Sequence, residues 1–217
     1  MKLTTELAEF KLPTREAVTA VTSTLLNDKR YIAVGTAVFT SDDVAQEARL
    51  DEPASFIQAE KGRLILLEPL LLDGTDDDPR WVLEVVAELD TPAPVRDCVT
   101  IHNFLAIAST AKVSILSLEL HAEQQEGNPD ATVGKLVETA KCTFAFEADF
   151  LAVSHAPDGD RLVIGDAMRS ILVLDVDERD GYIKWDQRDM SSHSVRALCQ
   201  VRDDGPGVII SDVRSKQ

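Results

Sequence analysis

The side chains able to do acid–base or metal chemistry are few and scattered. His102, His121, His155 and His193 fall on separate predicted loops or strand ends. That placement suits structural or surface roles better than one shared acid–base site. His121 and Glu123 form a His-x-Glu pair, but no Pro-Cys-x-x-Cys follows to complete a deaminase zinc centre. Ser191, Ser192 and Ser194 crowd His193, yet a nucleophile and its base are usually joined by the fold rather than by adjacency in sequence. The acidic segment 73–79 (DGTDDDP) lacks the alternating ligand spacing and closing glutamate of a calcium loop, so it reads as a solvated turn. Cys98, Cys142 and Cys199 are far apart, odd in number and free of any Cys-x-x-Cys pairing. Each sits in or beside an apolar run, which predicts buried thiols rather than a disulfide framework or a zinc site. Gly-x-Gly-x-x-Gly, P-loop, Gly-x-Ser-x-Gly and His-Glu-x-x-His signatures do not occur. The expectation is a non-enzyme, with no catalytic residue, no cofactor and no metal.

The elements that would position such residues are strands. The chain has 217 residues, enough for a sizeable core, and 44% are hydrophobic, which predicts a folded protein. Lys and Arg number 22 against 38 Asp and Glu, a net charge of −16, so the chain should not grip a phosphate backbone by charge alone. The N-terminal residues have no apolar signal core, and the oiliest run, 64–72 (LILLEPLLL), is short and broken by Glu68 and Pro69. No membrane role is expected, and the cysteine usage points to a reducing, intracellular compartment.

Short β-branched and leucine-rich runs recur along the chain. They include 31–39 (YIAVGTAVF), 63–67 (RLILL), 104–108 (FLAIA), 112–120 (KVSILSLEL), 161–165 (RLVIG), 170–176 (SILVLDV) and 207–211 (GVIIS), separated by Gly, Asp and Pro clusters. Only 44–48 offers a turn of helix. The runs fall into cycles of outer strand, inner strand and tight hairpin: 81–89, 95–101, 104–108 and 112–120, then 135–144 onward, then 181–189 onward. An outer strand near 17–26 opens an incomplete first cycle, and the last stops one strand short. Central strands apolar on both faces are those of a propeller blade covered by its neighbours. The predicted fold is all-β: a partial β-propeller of about three to four four-stranded antiparallel blades, residues 1–217 forming one domain that starts and ends mid-blade. The segments 42–51, 73–79 and 121–130 read as exposed hairpin loops.

Two stretches carry a family resemblance. The run YIAVGTAVF, followed by an acidic loop and then KGRLI at 61–65, resembles the opening of the last propeller in the cleavage and polyadenylation specificity factor A subunit family. The run 161–174 (RLVIGDAMRSILVL) resembles the next signature hairpin of that region, and looks like the form in the damaged-DNA-binding member. Read from the residues alone, Gly165 and Asp166 make the turn, with Arg169 placed to pin it through Asp166. The resemblance runs from about Val18 to Asp212. It implies a C-terminal propeller region of a larger multi-propeller protein in the nucleus. It also implies a scaffold role: the adaptor of a cullin–RING ubiquitin ligase in DNA repair, or an RNA-binding subunit of the pre-mRNA cleavage, polyadenylation or splicing machinery. Implied partners are cullin-ligase or substrate-receptor subunits, or polyadenylation factors, with nucleic acid reached through the full-length protein. Partner-contacting positions of the middle blade map to Leu151, Val153 and Ser154. Ser154 stands where the family has a larger aromatic, and the polar run 191–194 replaces the usual aromatic before the next inner strand.

Overall fold

The computed structural model describes residues 8–39, 59, 61–75, 78–110, 112–122, 132–143, 148–156, 159–166, 170–188, 195–200 and 208–212. These form fourteen strands and, among the described residues, no helix. The strands are β1 (Glu16–Leu26), β2 (Lys29–Val38), β3 (Gly62–Thr75), β4 (Asp78–Thr91), β5 (Asp97–Ile101), β6 (Phe104–Ser109) and β7 (Lys112–Ala122). They continue as β8 (Thr132–Cys142), β9 (Ala148–Ala156), β10 (Gly159–Asp166), β11 (Ser170–Val176), β12 (Ile183–Arg188), β13 (Val195–Gln200) and β14 (Val208–Asp212). Three antiparallel meanders, β1–β4, β5–β8 and β9–β12, make four-stranded sheets, and β13–β14 is a two-stranded fourth. The fold is a partial β-propeller whose ring is not closed.

The recurring unit is visible in the second strands. Tyr31–Gly35, Phe104–Ala108 and Arg161–Gly165 occupy matching places in β2, β6 and β10. Alternate residues face opposite neighbours, as a strand requires. Tyr31 and Ala33 pack with Leu105 and Ile107 between the first two sheets. Phe104 and Ala106 pack with Leu162 and Ile164 between the second and third. The unit ends on a buried polar residue in each sheet: Thr36, Ser109 and Asp166. Thr36 and Ser109 use their hydroxyls to tie nearby chain, as the cost of burying a bare polar group demands: Thr36 donates to Glu16, and Ser109 to the Ala93 carbonyl.

The fifth position of the unit is small because the next sheet presses on it. A Cβ on Gly35 would lie 2.6 Å from Val95, and one on Gly165 would lie 2.7 Å from Val195. Val95 and Val195 stand just before, and at the start of, the following sheet's first strand, so the same notch receives the same type of residue at two interfaces.

The order within a sheet differs from the sequence-based cycle by one strand. The outer runs β4, β8 and β12 close the sheet already begun, and the chain then crosses to the first strand of the next. Residues 17–26, expected as an outer strand, are β1, which packs beside β5. Outer and inner runs are consecutive in sequence because the crossing is short, 92–96 between β4 and β5, and that adjacency hides the change of sheet.

Pro69 lies inside β3 without breaking it. β2 pairs with β3 only from Leu64 to Leu67, so Pro69 sits where β3 has β4 alone as a partner and a ladder donor is not required. Strands also reach into the acidic segment 73–79, β3 running to Thr75 and β4 starting at Asp78. The proposed helical turn at 44–48 lies outside the described residues, as do Arg169 and the run 191–194.

Candidate partner-binding site

The first strands β1, β5, β9 and β13 lie side by side and define the inner margin of the stack. Leu151, Val153 and Ser154 all fall on β9, paired with Ile164, Leu162 and Arg161 of β10. Leu151 and Val153 pack into the core between the second and third sheets, and Ser154 points to the opposite face. All three side chains are buried.

Asp97 fixes where β9 sits. Its two carboxylate oxygens accept the Cys98 and Leu151 backbone N–H groups, each at 2.8 Å, so one side chain of β5 holds the backbone of β9. Burial raises the Asp97 carboxyl above its ordinary value, and the two N–H donors oppose that rise. Burial, with the Asp97 charge adding to it, pushes the Cys98 thiol up to about 12, so this cysteine stays protonated and inert.

A second anchor sits at the start of β1. The Glu16 carboxylate receives two bonds from Arg63, at 2.9 and 2.6 Å, and one from Thr36 at 2.5 Å. The Glu16 side chain is only 4% exposed. Burial works against its charge, but the Arg63 and Thr36 hydrogen bonds prevail and hold it below the usual carboxylate range.

At the opposite ends of the strands, the hairpin tips are stitched across the sheets. Asn27 of the β1–β2 turn and Asn103 of the β5–β6 turn exchange two hydrogen bonds, at 2.6 and 3.0 Å, while the Asn27 amide donates to the Leu118 carbonyl. Next to Asn103, His102 adopts a left-handed backbone, φ 51°. Its Nδ1 lies 3.9 Å from Asp160 and 3.8 Å from Glu178, and His155 Nδ1 is 2.5 Å from Asp160. Two of the scattered histidines thus meet across one carboxylate, 53 and 58 residues of sequence notwithstanding. His102 and Asp160, together with Asp177 and Lys184, 3.3 Å apart, line a cavity of about 320 Å³ between the second and third sheets. The Arg179 N–H and Lys184 hold the Asp177 carboxyl below its usual range. This lattice of imidazoles and carboxylates joins two blades. Among the described residues no group of three or more His, Cys, Asp or Glu is placed to hold a metal ion. His121 ends up exposed on β7, and Glu123 and His193 lie outside the described residues.

The family model of the CPSF A subunit region matches residues 1–216. A search of curated proteins found no match.

Proposed function

The chain belongs to the CPSF A subunit family, and on that premise we propose that it is a non-catalytic nuclear scaffold that holds other proteins against stacked propeller blades. Family membership connects the chain with propeller scaffolds of mRNA processing or related assemblies. The observation that carries the reading is the blade stack itself. Partly buried carboxylates such as those of Asp97 and Glu16 fix strand positions, and His102 meets Asp160 of the neighbouring blade. We also read residues 1–217 as part of a larger propeller. Ile32 and Val34 occupy the places that a neighbouring sheet seals in the second and third sheets; here Phe10 and Leu12 pack against that patch, and Ile32 is left only partly buried. Val18, Val21 and Leu25 on that same face stay 50–63% exposed.

Two assemblies fit. The hairpin RLVIGDAMRSILVL favours the adaptor of a cullin–RING ubiquitin ligase in DNA repair. The family description favours a subunit that works beside RNA in the polyadenylation machinery. Affinity purification of the tagged chain from nuclear extract, with quantitative mass spectrometry, separates them. Enrichment of a cullin supports the first and enrichment of polyadenylation factors the second. Recovery of neither overturns the scaffold reading.

A further inference from the structure

At the first two interfaces, one sheet meets the next through an aromatic residue and the apolar residue two places on. Tyr31 and Ala33 of β2 pack with Leu105 and Ile107 of β6, and Phe104 and Ala106 of β6 pack with Leu162 and Ile164 of β10. The outer face of the first sheet offers the matching pair, Ile32 and Val34, with Ile65 and Leu67 beside them. Phe10 and Leu12, from the segment ahead of β1, pack on that cluster, so the aromatic and apolar pair occurs a third time. The residues between and beside them point outward. Glu9 and Lys11 have side chains 59% and 80% exposed and form an ion pair at 3.6 Å. Apolar side chains inward and charged ones outward are what a terminal cap on a stack of repeats requires.

Among the described residues, what holds this segment is two side chains and a turn. Residues 8–13 lie outside every strand of the first sheet, and Phe10 and Leu12 are each only partly buried. The turn into β1 closes on a long hydrogen bond, 3.3 Å from the Glu16 N–H to the Pro13 carbonyl, while the Phe39 N–H donates to the Arg15 carbonyl at 2.9 Å. Arg15 adopts a left-handed backbone, φ 75°, which a side chain opposes and a glycine would not. The segment covers residues of β2 and β3 but not β1. Val21, paired with Val34, stays 63% exposed on the same face.

We propose that residues 8–13 are a hinged cap: they take the place of a blade's second strand on the first sheet, swing away about Arg15, and while closed keep the chain from associating through that face. The cap is a property of the free chain and does not depend on which assembly the chain serves. Limited trypsin digestion of the full chain reads the hinge as the rate of cutting after Lys11, identified by mass spectrometry and normalised to the free peptide of the same sequence. Such cutting follows the open population when reclosure is fast. Phe10→Ser should raise the rate about tenfold. Arg15→Gly, which keeps both anchors, should lower it about threefold. In sedimentation velocity the unaltered chain should run as a monomer, and Phe10→Ser with Leu12→Ser should associate as concentration rises. Adding Val21→Lys, which puts a charge on the bared face, should return that variant to a monomer. A rate after Lys11 that neither substitution changes would overturn the proposal. So would an unaltered chain that already associates, a double variant that stays monomeric, or association that Val21→Lys leaves untouched.

Discussion

Glu16 and Asp97 are both partly buried carboxylates, and they respond to acid in opposite directions. Glu16 is held below its ordinary value of 4.5, so its contribution is in place above that pH and is lost as the pH falls through the lower, folded value. Asp97 is raised above 3.8, so charging it costs stability at higher pH, and that cost is relieved as the pH falls toward the unfolded value. Thermal unfolding should therefore show a loss of stability below about pH 4.5 that is shallower in Glu16→Gln. At neutral pH, Glu16→Ala should cost about 2–3 kcal/mol in a urea titration, since it strands a partly buried guanidinium. Asp97→Ala should cost about 1–3 kcal/mol by leaving the Leu151 N–H unmet. Asp97→Asn, which keeps one acceptor oxygen, should cost less. Neither anchor is legible in the sequence: Glu16 and Arg63 are 47 positions apart, and Asp97 and Leu151 are 54 apart. The histidine pair around Asp160 is hidden for the same reason, because only the alignment of separate turns brings the imidazoles together.

Strands were far easier to read than contacts. The run 170–176 coincides with β11, and 104–108 lies within β6, because period-two alternation and β-branched content act locally. What alternation does not encode is sheet membership, so β1 reads as an outer strand yet lies beside β5. The notch at Gly35 gives this element-level account a direct check. Gly35→Ala places a methyl group against Val95 and should destabilise by about 1–3 kcal/mol. Combined with Val95→Ala, which opens the same space, the two losses should be less than additive, with a coupling of at least about 0.5 kcal/mol in a double-mutant cycle. Strict additivity would mean that the two sheets do not meet as described.

For the whole molecule, charge and architecture point the same way. A chain carrying −16 should bind RNA and duplex DNA weakly, and any binding should lack the steep salt dependence of a phosphate-gripping surface. Filter binding at about 50 and 200 mM salt reads this directly; a large fall in affinity between the two would reveal a basic patch that composition conceals. Fold class and family were legible because repeats and two hairpins carry them. Leu151, Val153 and Ser154 came from the resemblance, and only the structure shows them packed along β9 behind Asp97. The central claim is that this chain holds proteins through protein surfaces. Its most direct test is affinity purification from nuclear extract before and after exhaustive nuclease treatment. The account predicts the same partner proteins, in the same amounts, after treatment; their disappearance with the nucleic acid would contradict it.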